Sequence, residues 1–449
     1  MSFPRYPEYK DSGVEWLRKV PAHWDLARFK HILRERDERS IGGEEELLSV
    51  SAYTGVTPRS AIIEAGAQLT RAETLEGYKV CKRNDLVVNI MLAWNRGLGV
   101  TVHDGIVSPS YCVFEPNSRV YPRFLDYLVR CDQYLPYFKA HSAGVIDSRL
   151  RLYPDVLAGL IAIMPPLNEQ RAIVDVLDHE TAKIDALVAE QERLIALLKE
   201  KRQAVISHAV TKGLNPDAPT KDSGIDWLGS VPAGWTLTPL RYLVQSVGQG
   251  WSPQCESYAA DWESEYGVLK VGAVNGGIFD PSENKKLPPA LEPQTDLAIR
   301  AGDLMISRAN TRELVGSAAV ADDDYPHLLL CDKLYRLRFR RSGQLPKFIS
   351  RFLATPVIRE QIELGASGAS ASMLNISQSV ILDLPAPVPP EDEMLTILDY
   401  CARAAEETSE LIEQAEGSVS LLIERRAALI TAAVTGQIDV RDLAPSDAA

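Results

Sequence analysis

The segment KDSGVEWLRKVPAHWDL at residues 10–26 returns at residues 221–237 as KDSGIDWLGSVPAGWTL. Eleven of the seventeen aligned positions are identical, and two more are conservative exchanges. Self-similarity at a separation of 211 residues is typical of a chain that contains one structural unit twice. The segment therefore predicts a duplicated architecture.

A second repeat lies at the other end of each unit. LLKEKRQAVISHAVT at residues 197–211 matches LLIERRAALITAAVT at residues 421–435 in nine of fifteen positions. Similarity is concentrated in these end segments, and in the interiors only fragments correspond, such as RNDLVV (83–88) with AGDLMI (301–306). This pattern indicates a shared framework around two divergent middles, and hence one kind of task performed on two targets.

Each end repeat closes a long predicted helix. Residues 168–210 contain no Pro or Gly, Asn168 can cap the start, and Gly213 stands just beyond the end. The second copy covers residues 392–434. A helix of that length is about 60 Å long. The predicted apolar stripes are Leu177, Ile184, Leu187, Leu194, Leu198 and Val205 in the first helix, and Leu411, Leu422 and Leu429 in the second.

Two helices of matching length in one chain favour a coiled coil over two helices that each pack on their own domain. The middles, 27–150 and 238–375, hold short β-like runs broken by Gly, Pro, Asn and Ser, with short helices between them. The predicted fold class is therefore α+β: two mixed domains joined by two long helices, with a pseudo-two-fold internal repeat.

Composition limits the cellular setting. The 449 residues contain no run of 18 apolar residues, which predicts no transmembrane helix, and the first residues, MSFPRYPEYKDSG, do not resemble a secretory signal. The six cysteines are scattered without a CxxC pair, as expected of free thiols in a reducing cytoplasm. The seven histidines form no HExxH motif, so a metal site is not expected.

The net charge of −13 is unevenly distributed along the chain. Residues 389–449 hold 4 basic and 13 acidic side chains, whereas the two middles are close to neutral. Each middle can therefore present a basic face, and the overall charge does not exclude DNA binding.

The chain resembles the specificity subunit of type I restriction–modification systems over nearly its whole length. The resemblance lies in the KDSGxxWLxxVPAxW segments at 10–24 and 221–235, in PPLNEQRAIVDVLD at 165–178, and in LLKEKRQAVISHAVTKG at 197–213 with its echo LLIERRAALITAAVTGQI at 421–438. It departs from the family pattern where NEQRAI (168–173) is replaced by DEMLTI (392–397) in the second copy.

The resemblance implies two target recognition domains that each read half of a bipartite, asymmetric site in double-stranded DNA. It also implies an antiparallel coiled coil that holds the domains apart. The resemblance further implies that two methyltransferase subunits dock on this scaffold and that restriction subunits can join them. The chain itself would be non-catalytic and without cofactor, with S-adenosylmethionine bound by the methyltransferase partners of an adenine-specific complex.

On this basis the chain divides into five predicted parts. They are target recognition domain 1 (1–160), a first framework helix (161–213), target recognition domain 2 (214–384), a second framework helix (385–438) and a flexible C-terminal tail (439–449).

Polar loops with cations and amides are the candidates for DNA contact, because such side chains pair with base edges and phosphates. In domain 1 these are Ser51, Tyr53, Trp94, Asn95, Arg96, Arg149 and Arg151, and in domain 2 Gln249, Trp251, Ser252, Arg308, Asn310, Thr311 and Arg312. Any one of these loops can equally be an ordinary solvated loop. Asp85 and Asp303, at matching places before two of the loops, are expected to form turns.

The paired tryptophans, Trp16/Trp24 and Trp227/Trp235, are predicted to anchor packing rather than to stack on bases. They recur where the two units are alike, whereas readers of two different half-sites should lie where the units differ. No phosphate-binding GxxxxGK[ST] loop occurs in the sequence. The alternative hypothesis from another class is an acidic coiled-coil adaptor or DNA mimic that binds a nucleic-acid enzyme, and an enzyme in its own right comes third.

Overall fold

The computed structural model describes residues 4–61, 74–340, 343–370, 373–441 and 443. It divides into two compact units, unit 1 (Met1–Glu192 and Glu416–Ala449) and unit 2 (Arg193–Ala415). Each unit contains one mixed α/β domain and half of each of two long helices.

The domain of unit 1 is built mainly of antiparallel strands. Its elements are β1 (Tyr9–Asp11), β2 (Lys19–Pro21), β3 (Asp25–Arg28), β4 (Leu33–Glu35), β5 (Leu48–Ser51), β6 (Gly55–Pro58), β7 (Lys79–Cys81), β8 (Leu86–Asn89), β9 (Leu98–Val100), β10 (Gly105–Val107), β11 (Tyr111–Pro116), α1 (Pro122–Arg130), α2 (Tyr134–Ala140), α3 (Pro154–Gly159) and β12 (Ile161–Met164). The central sheet has the order β4-β11-β8-β9, and its core includes Phe29, Phe124 and Phe138.

The first long helix, α4 (Leu167–Lys212), leads into unit 2. The elements that follow are β13 (Thr220–Asp222), β14 (Ser230–Pro232), β15 (Thr236–Pro239), α5 (Leu240–Leu243), β16 (Val244–Gln249), β17 (Gly267–Leu269), β18 (Asn284–Lys286), β19 (Ala298–Ile299), β20 (Leu304–Ser307), β21 (Ala309–Asn310), β22 (Ala318–Val320), β23 (Tyr325–Leu329), β24 (Leu334–Phe339), α6 (Leu345–Leu353), α7 (Pro356–Leu364), β25 (Ser367–Ser370), β26 (Met373–Asn375), α8 (Gln378–Leu382), β27 (Pro385–Val388) and the second long helix α9 (Glu391–Val434).

The two units repeat one topology. The sheet β16-β24-β20-β22 of unit 2 matches the sheet β4-β11-β8-β9 of unit 1, with β8 and β20 formed by the corresponding fragments RNDLVV and AGDLMI. Unit 2 adds a second sheet, β18-β17-β23-β19, over its own apolar core, whereas unit 1 adds the pairs β5-β6 and β7-β10. The middles predicted from the sequence, 27–150 and 238–375, contain both this shared sheet and the additions, and the units differ in the additions.

The long helices pack on each other within both units. In unit 1, Ile184 of α4 shares a core with Leu429 and Val434 of α9, and in unit 2 Ile206 of α4 shares a core with Ile397 of α9. The guanidinium of Arg426 donates to Asp185 at 2.8 Å in unit 1, and Arg202 donates to Ser409 at 3.4 Å in unit 2.

An advance of 17 residues along α4, from 185 to 202, thus moves the contact back by 17 residues along α9, from 426 to 409. The helices are therefore antiparallel, and the predicted fold class is confirmed: α+β with two long helices that pack together.

The predicted phase of the apolar stripe is wrong at three positions. Leu187, Leu194 and Leu411 are exposed by 51%, 43% and 50%. On α9 the neighbouring Ile412 is buried instead, because a single-residue rotation of about 100° decides which face of a helix meets its partner. The stripe continues through Leu177, Ile184 and Leu429, which are buried as predicted.

The repeated segment packs against the C-terminal end of a long helix in each unit. In unit 1 a Cβ on Gly436, which has φ of +74°, would lie 2.9 Å from the ring of Trp24, and in unit 2 a Cβ on Gly213, which has φ of +77°, would lie 3.4 Å from the ring of Trp235. Both indole rings are buried, at 0% and 2% exposure. As predicted, Trp24 and Trp235 anchor the frame, which is the set of repeated end segments and long helices that both units share.

The segment after α9 lies against the first described residues of the chain. The backbone N–H of Asp439 donates to the Pro4 carbonyl at 2.8 Å, and Val440 is fully buried in the core of unit 1. Of the predicted C-terminal tail, residues 442 and 444–449 lie outside the described residues.

Candidate nucleic-acid interface

Arg130, at the end of α1, holds together the two loops of unit 1 that carry Ser51, Tyr53 and Arg96. Its guanidinium donates to five backbone carbonyl oxygens at 2.6–3.5 Å, those of Ser51, Ala52, Tyr53, Arg96 and Leu98. Burial lowers the pKa of Arg130, although an arginine so placed remains a cation at neutral pH. The two predicted loops therefore form one surface, from which the Tyr53 side chain projects with 95% exposure.

Arg96 reaches across this surface to an acidic partner. It has φ of +57°, and its guanidinium pairs with the Asp132 carboxylate and donates to the Arg130 carbonyl at 3.4 Å. Arg96, Tyr53 and Arg130 line a cavity of about 450 Å³ in unit 1.

Lys139 connects Trp94 to a third predicted loop of unit 1. Its ammonium lies 5.1 Å from the centre of the Trp94 ring and 2.8 Å from the Asp147 carboxylate. Trp94 is half-buried, and its indole N–H donates to the Met91 carbonyl at 3.1 Å.

The remaining candidate residues of unit 1 lie next to Trp94 or shortly after Asp147 in the sequence. Asn95 and Arg149 are exposed, whereas the half-buried Arg151 donates to the Leu150 carbonyl at 3.0 Å. Exposed amide and guanidinium groups at these positions remain available to a ligand.

Asp332, in the turn between β23 and β24, gathers the corresponding loops of unit 2. Its carbonyl oxygen accepts from the Gln249 amide at 3.1 Å and from the Arg308 guanidinium at 3.3 Å. Its carboxylate accepts from the Ser252 hydroxyl at 2.6 Å. Trp251, between them, is half-buried, and its backbone N–H donates to Leu330 at 3.0 Å.

The loop after β20 places amides and a cation beside this turn. The Asn310 side chain donates to the Asn275 amide oxygen at 3.4 Å, and its own oxygen accepts from the Thr311 backbone N–H at 2.9 Å. Arg312 is 70% exposed, and its only ion-pair contact among the described residues is with Glu363, at 3.8 Å.

The aspartates before these loops form turns in the structure. The Asp85 carboxylate accepts from the Lys82 backbone N–H at 2.8 Å, and the Asp303 carboxylate accepts from the Arg300 backbone N–H at 3.0 Å. Each is buried and also pairs with an arginine, Asp85 with Arg36 and Asp303 with Arg338. Both charges are thus neutralised within the chain.

Sequence reasoning missed the residues that organise these surfaces. Arg130 ends a helix and Lys139 belongs to another, whereas the search considered loops with several polar residues in a row. Asp332 and Asn275 lie in turns whose sequence gives no signal of their distant partners.

The sequence difference between NEQRAI (168–173) and DEMLTI (392–397), at the starts of the two long helices, has a structural explanation at one position. Gln170 is fully buried and makes three hydrogen bonds within unit 1: its oxygen accepts from the Tyr121 backbone N–H at 2.7 Å, and its amide group donates to the carbonyls of Arg119 and Pro165. Its counterpart Met394 is buried in an apolar core. The side chain of Gln170 is therefore bonded entirely within unit 1.

Neither a metal-binding cluster nor a membrane-spanning helix occurs among the residues that the structure describes. Within them, no three His, Cys, Asp or Glu side chains are grouped so that they could hold a metal ion. Over the same residues, no helix combines the length and apolar character needed to cross a membrane.

Comparisons with known proteins identify similar chains. No protein-family model matches. The chain is 26% identical over 199 residues, 44% of its length, to the specificity subunit of the type I restriction enzyme EcoEI of Escherichia coli, and the match spans 33% of that protein.

Two solved structures share the fold across most of the chain. One chain, from a study of complex assembly and conformational transition of the type I restriction–modification system, is 17% identical, with a TM-score of 0.66, and the match covers 92% of this chain and 98% of that one. The HsdS subunit from Thermoanaerobacter tengcongensis is 18% identical, with a TM-score of 0.50 and 93% and 98% coverage. In sequence and in fold the chain resembles type I specificity subunits.

Proposed function

We propose that the chain is the DNA sequence-recognition subunit of a type I restriction–modification complex. Each unit would read one half of a bipartite site, through the Arg130 loops in unit 1 and the Asp332 loops in unit 2. The observation that carries the proposal is the repeated frame, which presents two different clusters of polar loops at corresponding places. The sequence match to the EcoEI specificity subunit supports the same function.

The helices would serve as spacer and as docking scaffold for two methyltransferase subunits. Exposed apolar side chains on both helices support docking, since a helix surface of that kind favours a protein partner. In unit 1 these are Leu187, Leu421 and Ile423, and in unit 2 Leu194, Leu197 and Leu411. No observation favours the acidic adaptor or DNA mimic.

The chain would be non-catalytic, within a cytoplasmic complex to which restriction subunits can be added. S-adenosylmethionine would be bound by the methyltransferase subunits, and the methylated base would be adenine.

The proposal is tested by methylome sequencing of cells that express the chain with its methyltransferase partner, together with a salt-dependent gel shift of the purified complex. We expect one bipartite methylated motif and preferential binding to it. A complex without sequence preference on random duplex DNA would contradict the proposal.

The spacer role has its own test. Insertion of one helical turn, about four residues or 6 Å, near residue 190 should lengthen the gap between the half-sites by about 2 bp. The readout is the methylated motif before and after insertion, and an unchanged gap would refute the spacer role alone.

A further inference from the structure

A cleft of about 440 Å³ in unit 2 has three lysines on its wall and no carboxylate. The lysines are Lys270, Lys285 and Lys333, contributed by three separate segments around β17, β18 and β24. The other lining residues are uncharged: Ser252, Pro253, Gln254, Cys255, Val268, Leu269, Val271 and Cys331.

The two thiols in the cleft leave this positive charge uncompensated. Burial raises the pKa of Cys331 to about 11 and also raises the pKa of Cys255. Both groups are therefore neutral thiols at neutral pH rather than thiolates.

The lysines themselves are only partly paired. The Lys270 ammonium lies 3.6 Å from the Glu283 carboxylate. Lys285 and Lys333 are exposed, and among the described residues neither has a carboxylate within ion-pair distance. Two cations in one concave site thus lack a counter-charge, and an anionic ligand would supply it.

The cleft adjoins the loops assigned to DNA reading. Ser252 lies on its wall and donates to Asp332, and Lys333 is the next residue, whose carbonyl accepts from the Arg308 backbone N–H at 2.8 Å. In protein–DNA complexes, phosphate contacts fix the register on which base contacts depend.

We propose that this lysine cleft binds a backbone phosphodiester of the half-site read by unit 2. It would thereby fix the position of the loops carrying Gln249, Ser252 and Arg308 along the duplex. The inference rests on the proposed DNA-recognition function and adds to it a phosphate site whose lysines are not among the candidate base-reading side chains.

The test compares Lys285→Ala, Lys333→Ala and their double variant, each in the complex with methyltransferase. Each lost phosphate contact should reduce the slope of log K against log salt by about 0.9, equally on specific and non-specific duplexes. The methylated motif should stay the same, because no base contact is removed. Lys347→Ala is the matched control, since Lys347 belongs to unit 2, lines a different cavity and pairs with Asp322 at 2.7 Å.

The Asp332→Asn variant should change the affinity for DNA in the opposite direction to the lysine variants. The variant keeps an oxygen that can accept from Ser252 and removes the negative charge beside the cleft. We expect tighter DNA binding at low salt and convergence with the wild type at high salt.

The outcomes separate the two proposals. If the wild-type complex binds its motif while both lysine variants keep its affinity and salt slope, the cleft is not a phosphate site and DNA recognition stands. Relaxation of the motif in the lysine variants would also overturn the inference, because it would make these lysines base readers. A wild-type complex without sequence preference would overturn the proposed function and the cleft with it.

Discussion

Units 1 and 2 share a frame but organise their loops by opposite chemistry. In unit 1 a half-buried cation, Arg130, donates to backbone carbonyls of both loops. In unit 2 Asp332 is an acceptor: its backbone carbonyl accepts from the side chains of Gln249 and Arg308, and its carboxylate accepts from Ser252. The frame therefore fixes where the loops stand, whereas unrelated contacts fix their shape, so one architecture can present two different surfaces.

The frame also differs at single equivalent positions. Gln170 occupies in unit 1 the place that Met394 takes in unit 2, one with three hydrogen bonds and the other in an apolar core. Arg426 pairs with the carboxylate of Asp185, while its counterpart Arg202 meets the hydroxyl of Ser409. Single substitutions at these matched positions can test whether the two units are equivalent there.

The largest effect is expected from Arg130→Ala. It leaves five carbonyl oxygens without their donor, so the free energy of unfolding should fall by about 2–4 kcal/mol and the half of the motif read by unit 1 should become degenerate. Chemical denaturation and the methylated motif provide the two measurements.

Arg130→Lys serves as the control. One ammonium cannot span both loops, so this variant should recover part of the stability without restoring the motif. An unaltered motif in Arg130→Ala would show that the two loops do not depend on a common donor.

Arg149→Ala and Arg312→Ala test whether the units read separately. Both arginines are exposed, one in each unit, and each variant should relax only its own half of the motif, by about 1–3 kcal/mol per lost bidentate contact. Affinity for motifs with one altered base pair measures this. Equal weakening on every sequence would instead identify phosphate contacts.

Gln170→Met gives unit 1 the side chain of unit 2. The backbone N–H of Tyr121 and the Arg119 and Pro165 carbonyls lose their partner, so the free energy of unfolding should fall by about 1–2 kcal/mol. Met394→Gln, the reciprocal change, should also destabilise because it places an unpaired amide in an apolar core. Denaturant titration of both variants measures the free energy of unfolding. If neither variant changes it, glutamine and methionine are interchangeable at these two positions.

The smallest effect is expected from Ser409→Asp, which would give Arg202 the partner that Arg426 already has. A half-exposed ion pair should add no more than about 0.5 kcal/mol, and less at high salt. Thermal unfolding at two ionic strengths measures it, with Asp185→Ser as the reverse change. A gain that does not respond to salt would not come from an ion pair.

The frame could largely be predicted from the sequence because its signals are local. Composition and the glycines beyond their ends placed the long helices within two residues of Leu167–Lys212 and Glu391–Val434, although Asn168, the predicted cap, lies inside the first helix. Repetition identified Trp24 and Trp235 as anchors. The prediction that Leu187 and Leu194 belong to the buried apolar stripe was wrong, because a small rotation of a helix exchanges its buried and exposed positions.

The candidate surfaces could be predicted only as separate loops. Arg130 meets carbonyls 77 to 79 residues earlier in the chain, and Asp332 meets Gln249 across 83 residues. Contacts of that separation depend on the assembled sheets, and no local pattern of residue types encodes them.

Under the proposed function, the contacts that hold the loops determine how freely each unit could be retargeted to a new half-site. Because Arg130 binds the main chain of its loops, side chains such as those of Ser51 and Tyr53 can be exchanged without loss of that support. The loops of unit 2 have main-chain contacts as well, but the side chains of Gln249, Ser252 and Arg308 themselves bind Asp332, so replacing these side chains would also remove hydrogen bonds that hold the loops. Evolution or design should therefore diversify the specificity of unit 1 more freely than that of unit 2.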